Sequence, residues 1–173
     1  MESGKFYIVV GATGEGKSTL VKKKFVDPIE DGERLYVYDV NNEYVEGGLP
    51  DFETFLDGLA HRRNSMIILE EATIFMGTQN DFQQVREVVI RKRHTGNIIV
   101  MVFHTLERIP AAIMPLVDGM YIFYTIDDPK KIQKKYSAMH DIIRAFATIQ
   151  DANQYDYRFV DRRKRRRKKK VSK

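Results

Sequence analysis

GATGEGKS, Gly11–Ser18, decides how this chain folds. Its spacing, G-x-x-x-x-G-K-[ST], is that of a loop that wraps phosphate groups. Glycines let successive backbone N–H groups turn toward one concavity. A following helix start adds partial positive charge. In that geometry Lys17 reaches the β- and γ-phosphates, Ser18 holds Mg²⁺, and Thr19 assists at the helix start. Gly11, Ala12, Thr13, Gly14, Glu15 and Gly16 form the cradle. The flanks agree with this. The apolar run KFYIVV (Lys5–Val10) leads in as a buried strand, and a helix-forming segment from about Lys17 to Phe25 leads out.

Reading outward, strands and helices alternate. RLYVYDV (34–40), SMIILE (65–70), NIIVMVF (97–103) and GMYIFYT (119–125) read as further strands, and YDYRFV (155–160) as a last one. Pro50 and Asp51 introduce a helix whose Phe52, Phe55, Leu56 and Leu59 share one face. Asn80 or Asp81 is expected to cap another, with Phe82, Val85 and Val89 on one side. Asp128-Pro129 opens a long helix expected to run unbroken to about Gln150. The pattern predicts an α/β fold: a three-layer P-loop NTPase sandwich, its mostly parallel twisted sheet covered by helices on both faces.

The second chemical signal is MIILEEAT (66–73), four apolar residues ending in Glu70 and Glu71. In a parallel sheet the carboxyl ends of strands face the ligand crevice. Two acids there can divide the work, Glu70 holding Mg²⁺ through its water and Glu71 polarising an attacking water.

GATGEGKST, IILEE and IIVMVFHTLERIP, in this order, resemble the FtsK/HerA superfamily of P-loop ATPases, and in particular the small genome-packaging ATPases of membrane-containing viruses. Asp39 and the Glu43-Tyr44 pair match an aspartate and a G-E-Y-like stretch after the second strand in that family. The resemblance spans about residues 5–128. It implies that His104 occupies a γ-phosphate sensor position, and that the next strand follows an aspartate, here Asp118. It further implies ATP and Mg²⁺ as cofactors, a homo-oligomeric ring (hexamer or pentamer), double-stranded DNA as substrate, and capsid or portal proteins as partners. Glu70 departs from the usual Asp, and His104 from the usual Gln. In such rings a neighbour supplies an arginine. Arg93 is the candidate here, with Arg86, Arg91 and Arg108 as competitors.

Composition narrows the rest. There is no cysteine, so disulfides and thiolate metal sites are excluded. No apolar run approaches the ~20 residues that span a bilayer, which with the resemblance suggests a soluble protein of the host cytoplasm or the virion. The net charge is +5, yet residues 162–173 hold 10 of the 29 Lys and Arg and no acid. Residues 1–161 are therefore the ATPase domain, mildly acidic, and 162–173 a basic tail. Nonspecific duplex contact is the simplest use for Arg162, Arg163, Lys164, Arg165, Arg166, Arg167, Lys168, Lys169 and Lys170. An acidic capsid or membrane surface, a nuclear address, or no partner at all are the others. Loops around 76–81 or 91–96 are alternative channel contacts. The leading reading is an ATP-driven DNA-packaging motor. A Zot-like phage assembly ATPase and a small-molecule P-loop kinase are the alternatives.

Overall fold

The computed structural model describes residues 4–30, 34–39, 41, 43–44, 52–74 and 78–163. Six strands form one sheet in the order β2-β3-β4-β1-β5-β6. They are β1 (Lys5–Val10), β2 (Leu35–Tyr38), β3 (Met66–Leu69), β4 (Ile98–Phe103), β5 (Gly119–Ile122) and β6 (Arg158–Asp161). The first five are mutually parallel, and β6 is antiparallel to β5. The helices are α1 (Lys17–Val21), continued by a π-helical turn (Lys22–Val26), α2 (Phe52–Leu59), α3 (Gln79–Thr95), α4 (Pro129–Lys135) and α5 (His140–Gln150). A 3₁₀ segment (Ala111–Leu116) joins β4 to β5.

Period-two alternation sends Phe6, Ile8 and Val10 of β1 to one face and Val9 to the other. The chain steps from β1 outward to the edge strand β2, then walks back through β3 and β4 and crosses β1 to β5. Right-handed crossovers put connections moving in opposite directions on opposite faces. That is the arrangement seen. Val21 and Phe25 of the α1 segment pack with Val9, Ile68 and Val100. Phe55 of α2, Val85 and Val89 of α3, and Ile142 and Phe146 of α5 pack on the other face with Phe6 and Ile8. The three-layer α/β sandwich expected from the strand pattern is therefore present.

Four expectations need correction. The helix of 129–150 is two helices. Tyr136 ends α4 with φ −105° and buries its hydroxyl against the Leu106 carbonyl, 2.8 Å away. α5 then runs back toward the crevice. Asp141 in its first turn meets Arg162 at 3.4 Å, and Gln150 in its last donates to Thr125 O. This return is why β6 enters antiparallel. The cap of α3 is Thr78, whose Oγ1 accepts from Asp81 N at 3.1 Å, rather than Asn80 or Asp81. Residues 91–95 are the last turn of α3, not a loop. Pro50 and Asp51, residues 75–77 and residues 164–173 lie outside the described residues. Arg162 and Arg163, grouped with the tail above, are held by the domain. Arg162 N donates to Asp118 O at 3.0 Å, and the Arg163 side chain pairs with Asp161 at 3.3 Å.

At the end of the sheet away from the crevice, Asp118 accepts from Phe6 N (3.0 Å) and pairs with Lys92 (3.3 Å), both side chains buried. Removing one partner of a buried pair strands the other charge. Asp118→Ala should therefore lower the unfolding free energy by about 3 kcal/mol, read as a drop in urea midpoint at unchanged slope. A change within 0.5 kcal/mol, roughly that of an ordinary surface substitution, would remove this pair from the account of stability.

Candidate active site

The carboxyl ends of β1, β3 and β4 lie side by side and carry the predicted groups. The loop leaves β1 at Gly11, whose N–H donates to Phe103 O at 3.1 Å. A Cβ on Gly11 would fall 2.5 Å from that of Phe123, so only glycine fits between β4 and β5. Gly14 and Gly16 have φ of 83° and 88°, left-handed values that favour glycine. Ala12 N–H is tied to Tyr124 O at 2.7 Å. Lys17 is buried, and its Nζ donates to Ala12 O at 2.9 Å across the loop. Burial holds the ammonium below its ordinary pKa, while Glu70, Glu71, Glu43 and Glu15 pull the other way. A cation is thus fixed in a partly dry cradle facing four acids.

Glu70 continues the β2–β3 ladder, its N–H donating to Tyr38 O at 3.0 Å. The side chain is 2% exposed, and Oε2 accepts from the Tyr44 hydroxyl at 2.7 Å. The Ser18 side chain lies near that same hydroxyl and partly offsets the upward shift of its pKa. Tyr44 N in turn donates to Oδ2 of buried Asp39 at 2.7 Å. Asp39 and Tyr44, matched on family resemblance, thus form one buried chain that ends on Glu70. Burial pushes Glu70 up to about 7. The Tyr44 hydrogen bond and Lys17 oppose that, and Glu43 and Glu71 add to it. The Tyr44 hydroxyl is held far above its ordinary value, first by burial and then by Glu70.

Glu71 breaks from the strand with φ 52°, unusual for a residue with a side chain. Ala72 N then rejoins Val102 O at 2.9 Å. The excursion brings Glu71 Oε1 onto Nε2 of His104, the residue after β4, in a close hydrogen bond. The base and sensor candidates, 33 residues apart in sequence, are one pair. A non-glycine residue held in this region costs about 1–3 kcal/mol and is found where surrounding contacts enforce it, often in active sites.

The donor set suits Mg²⁺. The Ser18 hydroxyl and the buried Glu70 carboxylate are hard oxygen ligands. Among the described residues no group of three or more His, Cys, Asp or Glu could hold a metal alone. Mg²⁺ commonly takes one or two carboxylates and completes its shell with water and phosphate.

The arginines divide by position. Arg108 is exposed in the segment after His104, at the crevice end. Arg93 lies in the last turn of α3, its Cα 2.9 Å from a Cβ built on Gly4. That is the opposite end of the sheet, so Arg93 reaches a nucleotide only if the nucleotide sits on a neighbouring copy. Arg91 is exposed in the same turn, and Arg86 is half-buried in mid-helix. Sequence reasoning missed Tyr44 as a site residue, although its motif was noted. It also missed the rings of Tyr155 and Tyr157, which lie beside Gly16 and Phe123. Two tyrosines flanking an acid in QYDY were their signal.

No protein-family model matches the chain, and no curated protein matches it. Solved structures do. B204, the DNA-packaging ATPase from Sulfolobus turreted icosahedral virus, aligns with TM-score 0.71 over 95% of each chain at 18% identity. The genome-packaging NTPase B204 from Sulfolobus turreted icosahedral virus 2, in complex with ATP-gammaS, aligns at 0.69 over 91% of each chain at 20% identity. EssC (ATPases 2 and 3) from Geobacillus thermodenitrificans aligns at 0.57 and 12% identity, over 79% of this chain and 34% of that one. At these identities the likeness is one of fold. The chain has the P-loop α/β fold of the packaging NTPases, as its motifs imply.

Proposed function

We propose that this chain is an ATPase that drives double-stranded DNA into a viral capsid. The observation that carries the reading is the convergence of Lys17, Ser18, Glu70, Glu71 and His104 at one crevice, in a fold shared with packaging NTPases. Lys17 neutralises the β- and γ-phosphates. Ser18 and Glu70 hold Mg²⁺, which supplies charge compensation on the phosphoryl oxygens. Glu71 accepts the proton of a water whose oxygen attacks the γ-phosphorus, as the bond to the β–γ bridging oxygen breaks and the electron pair leaves with ADP. His104 orients Glu71 and reports the γ-phosphate. Copies assemble as a ring in which Arg93 of one chain approaches its neighbour's nucleotide, and a capsid or portal protein anchors the ring.

The test is steady-state ATP hydrolysis with and without long duplex DNA, at low and moderate salt. Stimulation that weakens with salt is expected. Hydrolysis indifferent to DNA would favour a nucleotide-driven assembly factor, and phosphate transfer to a small acceptor a kinase. Lys164–Lys170 supply DNA contact through phosphate charge. Deleting 164–173, while leaving the domain-bound Arg162 and Arg163, should preserve basal hydrolysis. It should also flatten the salt dependence of DNA binding by roughly 0.9 for each phosphate that the deletion leaves unneutralised. An unchanged slope would assign the tail to another partner.

A further inference from the structure

A cleft of about 780 Å³ opens beside the phosphate loop, on the β5–β6 side of β1, whereas Glu70 and Glu71 lie on the β3 side. Its size is that of a small-molecule site. Leu20, Lys23 and Lys24 of the α1 segment form one wall, and Phe123, Tyr155 and Tyr157 the other. The aromatic wall begins where the phosphate loop ends. A Cβ on Gly16 would meet the Tyr155 ring at 3.2 Å and the Phe123 ring at 3.9 Å.

The polarity of the site decides what belongs there. The hydrolytic groups, Glu71 and His104, are paired on the β3–β4 side, so the terminal phosphate must point that way. The other end of a nucleotide then leaves the loop toward β5 and β6. Tyr157 is braced by Phe123 (ring centroids 5.4 Å) and by Tyr121 (5.7 Å, edge-on). Tyr155 is fixed with φ 71° in the left-handed region, which turns its ring to Gly16. Both rings are exposed, 62% and 42%, whereas Phe123 behind them is buried. Flat apolar rings with a lysine rim fit a heteroaromatic base on a phosphorylated sugar.

We propose that this cleft is the nucleobase seat, with Tyr155 and Tyr157 as stacking walls and Lys23 and Lys24 as the rim facing the sugar and α-phosphate. The proposal rests on the nucleotide-hydrolase reading above and adds to it the residues that recognise the nucleoside half. The test compares a ligand that has a base with one that lacks it. Equilibrium binding of ATP and of inorganic tripolyphosphate is measured, with Mg²⁺, for the full chain and for Tyr155→Asn, Tyr157→Leu and Tyr155→Phe. Asn tolerates the left-handed backbone, and Leu keeps apolar packing against Tyr121 and Phe123. Base stacking on an aromatic is commonly worth ~5- to 150-fold in affinity. The Asn and Leu variants should therefore lose roughly tenfold or more for ATP while tripolyphosphate binding holds, and Tyr155→Phe should bind ATP normally. Equal losses for both ligands would show a distorted phosphate loop and overturn the proposal. ATP binding unaffected in both variants would overturn it too, leaving the hydrolase reading intact. An unaltered chain that binds neither ligand would sink both.

Discussion

Lys17→Ala should abolish measurable ATP turnover and weaken nucleotide binding by about two orders of magnitude or more. The size follows from the environment. Lys17 is 5% exposed and already bonded to Ala12 O across the loop, so no conformational search precedes its contact with phosphate. Losing a desolvated, hydrogen-bonded charge partner costs about 2–5 kcal/mol in binding. The fold should tolerate the change. Burial disfavours the ammonium, and truncation removes that penalty along with the cation. Thermal melting of the ligand-free variant should therefore stay close to that of the unaltered chain, while the stabilisation normally given by added ATP disappears. Turnover at the normal rate would end the phosphate-site assignment.

Glu71→Gln should separate binding from chemistry. Glutamine keeps the length and shape of the side chain and can still bond His104, but it cannot take a proton from water. Removing a positioned general base commonly costs about 10²–10⁴ in rate. ATP should therefore bind with near-normal affinity and persist unhydrolysed, read by single-turnover quench alongside equilibrium binding. Glu70→Gln provides the contrast. It alters the buried carboxylate that accepts from Tyr44 and is proposed to hold Mg²⁺ with Ser18, so its main effect should be a higher Mg²⁺ requirement. If Glu71→Gln hydrolyses normally and Glu70→Gln does not, the two roles are exchanged.

The phosphate loop and the acids were legible because each is local. One spacing specifies Gly11–Ser18, and an apolar run ending in charge specifies Glu70 and Glu71. The strand pattern carried the layer architecture for the same reason. What escaped notice depends on distant partners. Nothing in KKYSAMH (134–140) breaks a helix by composition, since it has neither glycine nor proline. α4 stops there because Lys135 and Tyr136 are engaged by the Leu106–Ile109 carbonyls, 26 to 30 residues upstream. Thr78, Asn80 and Asp81 are all competent caps, and the fold selects the first by making Asp81 N the donor. Tyr44 reaches Glu70 across 26 residues and Glu71 reaches His104 across 33, separations that no local period encodes.

The reversal of the last strand also decides at which pole of the sheet the chain leaves it. Had β6 entered parallel to β5, Arg162 would emerge at the crevice end of the sheet, on the β5 side of the phosphate loop. Because α5 carries the chain back first, β6 descends and hands it off at Arg162, against Asp118, at the far pole of the sheet. The last described strand thus ends at the pole opposite the phosphate loop, with the whole height of the sheet between Arg162 N and Gly11.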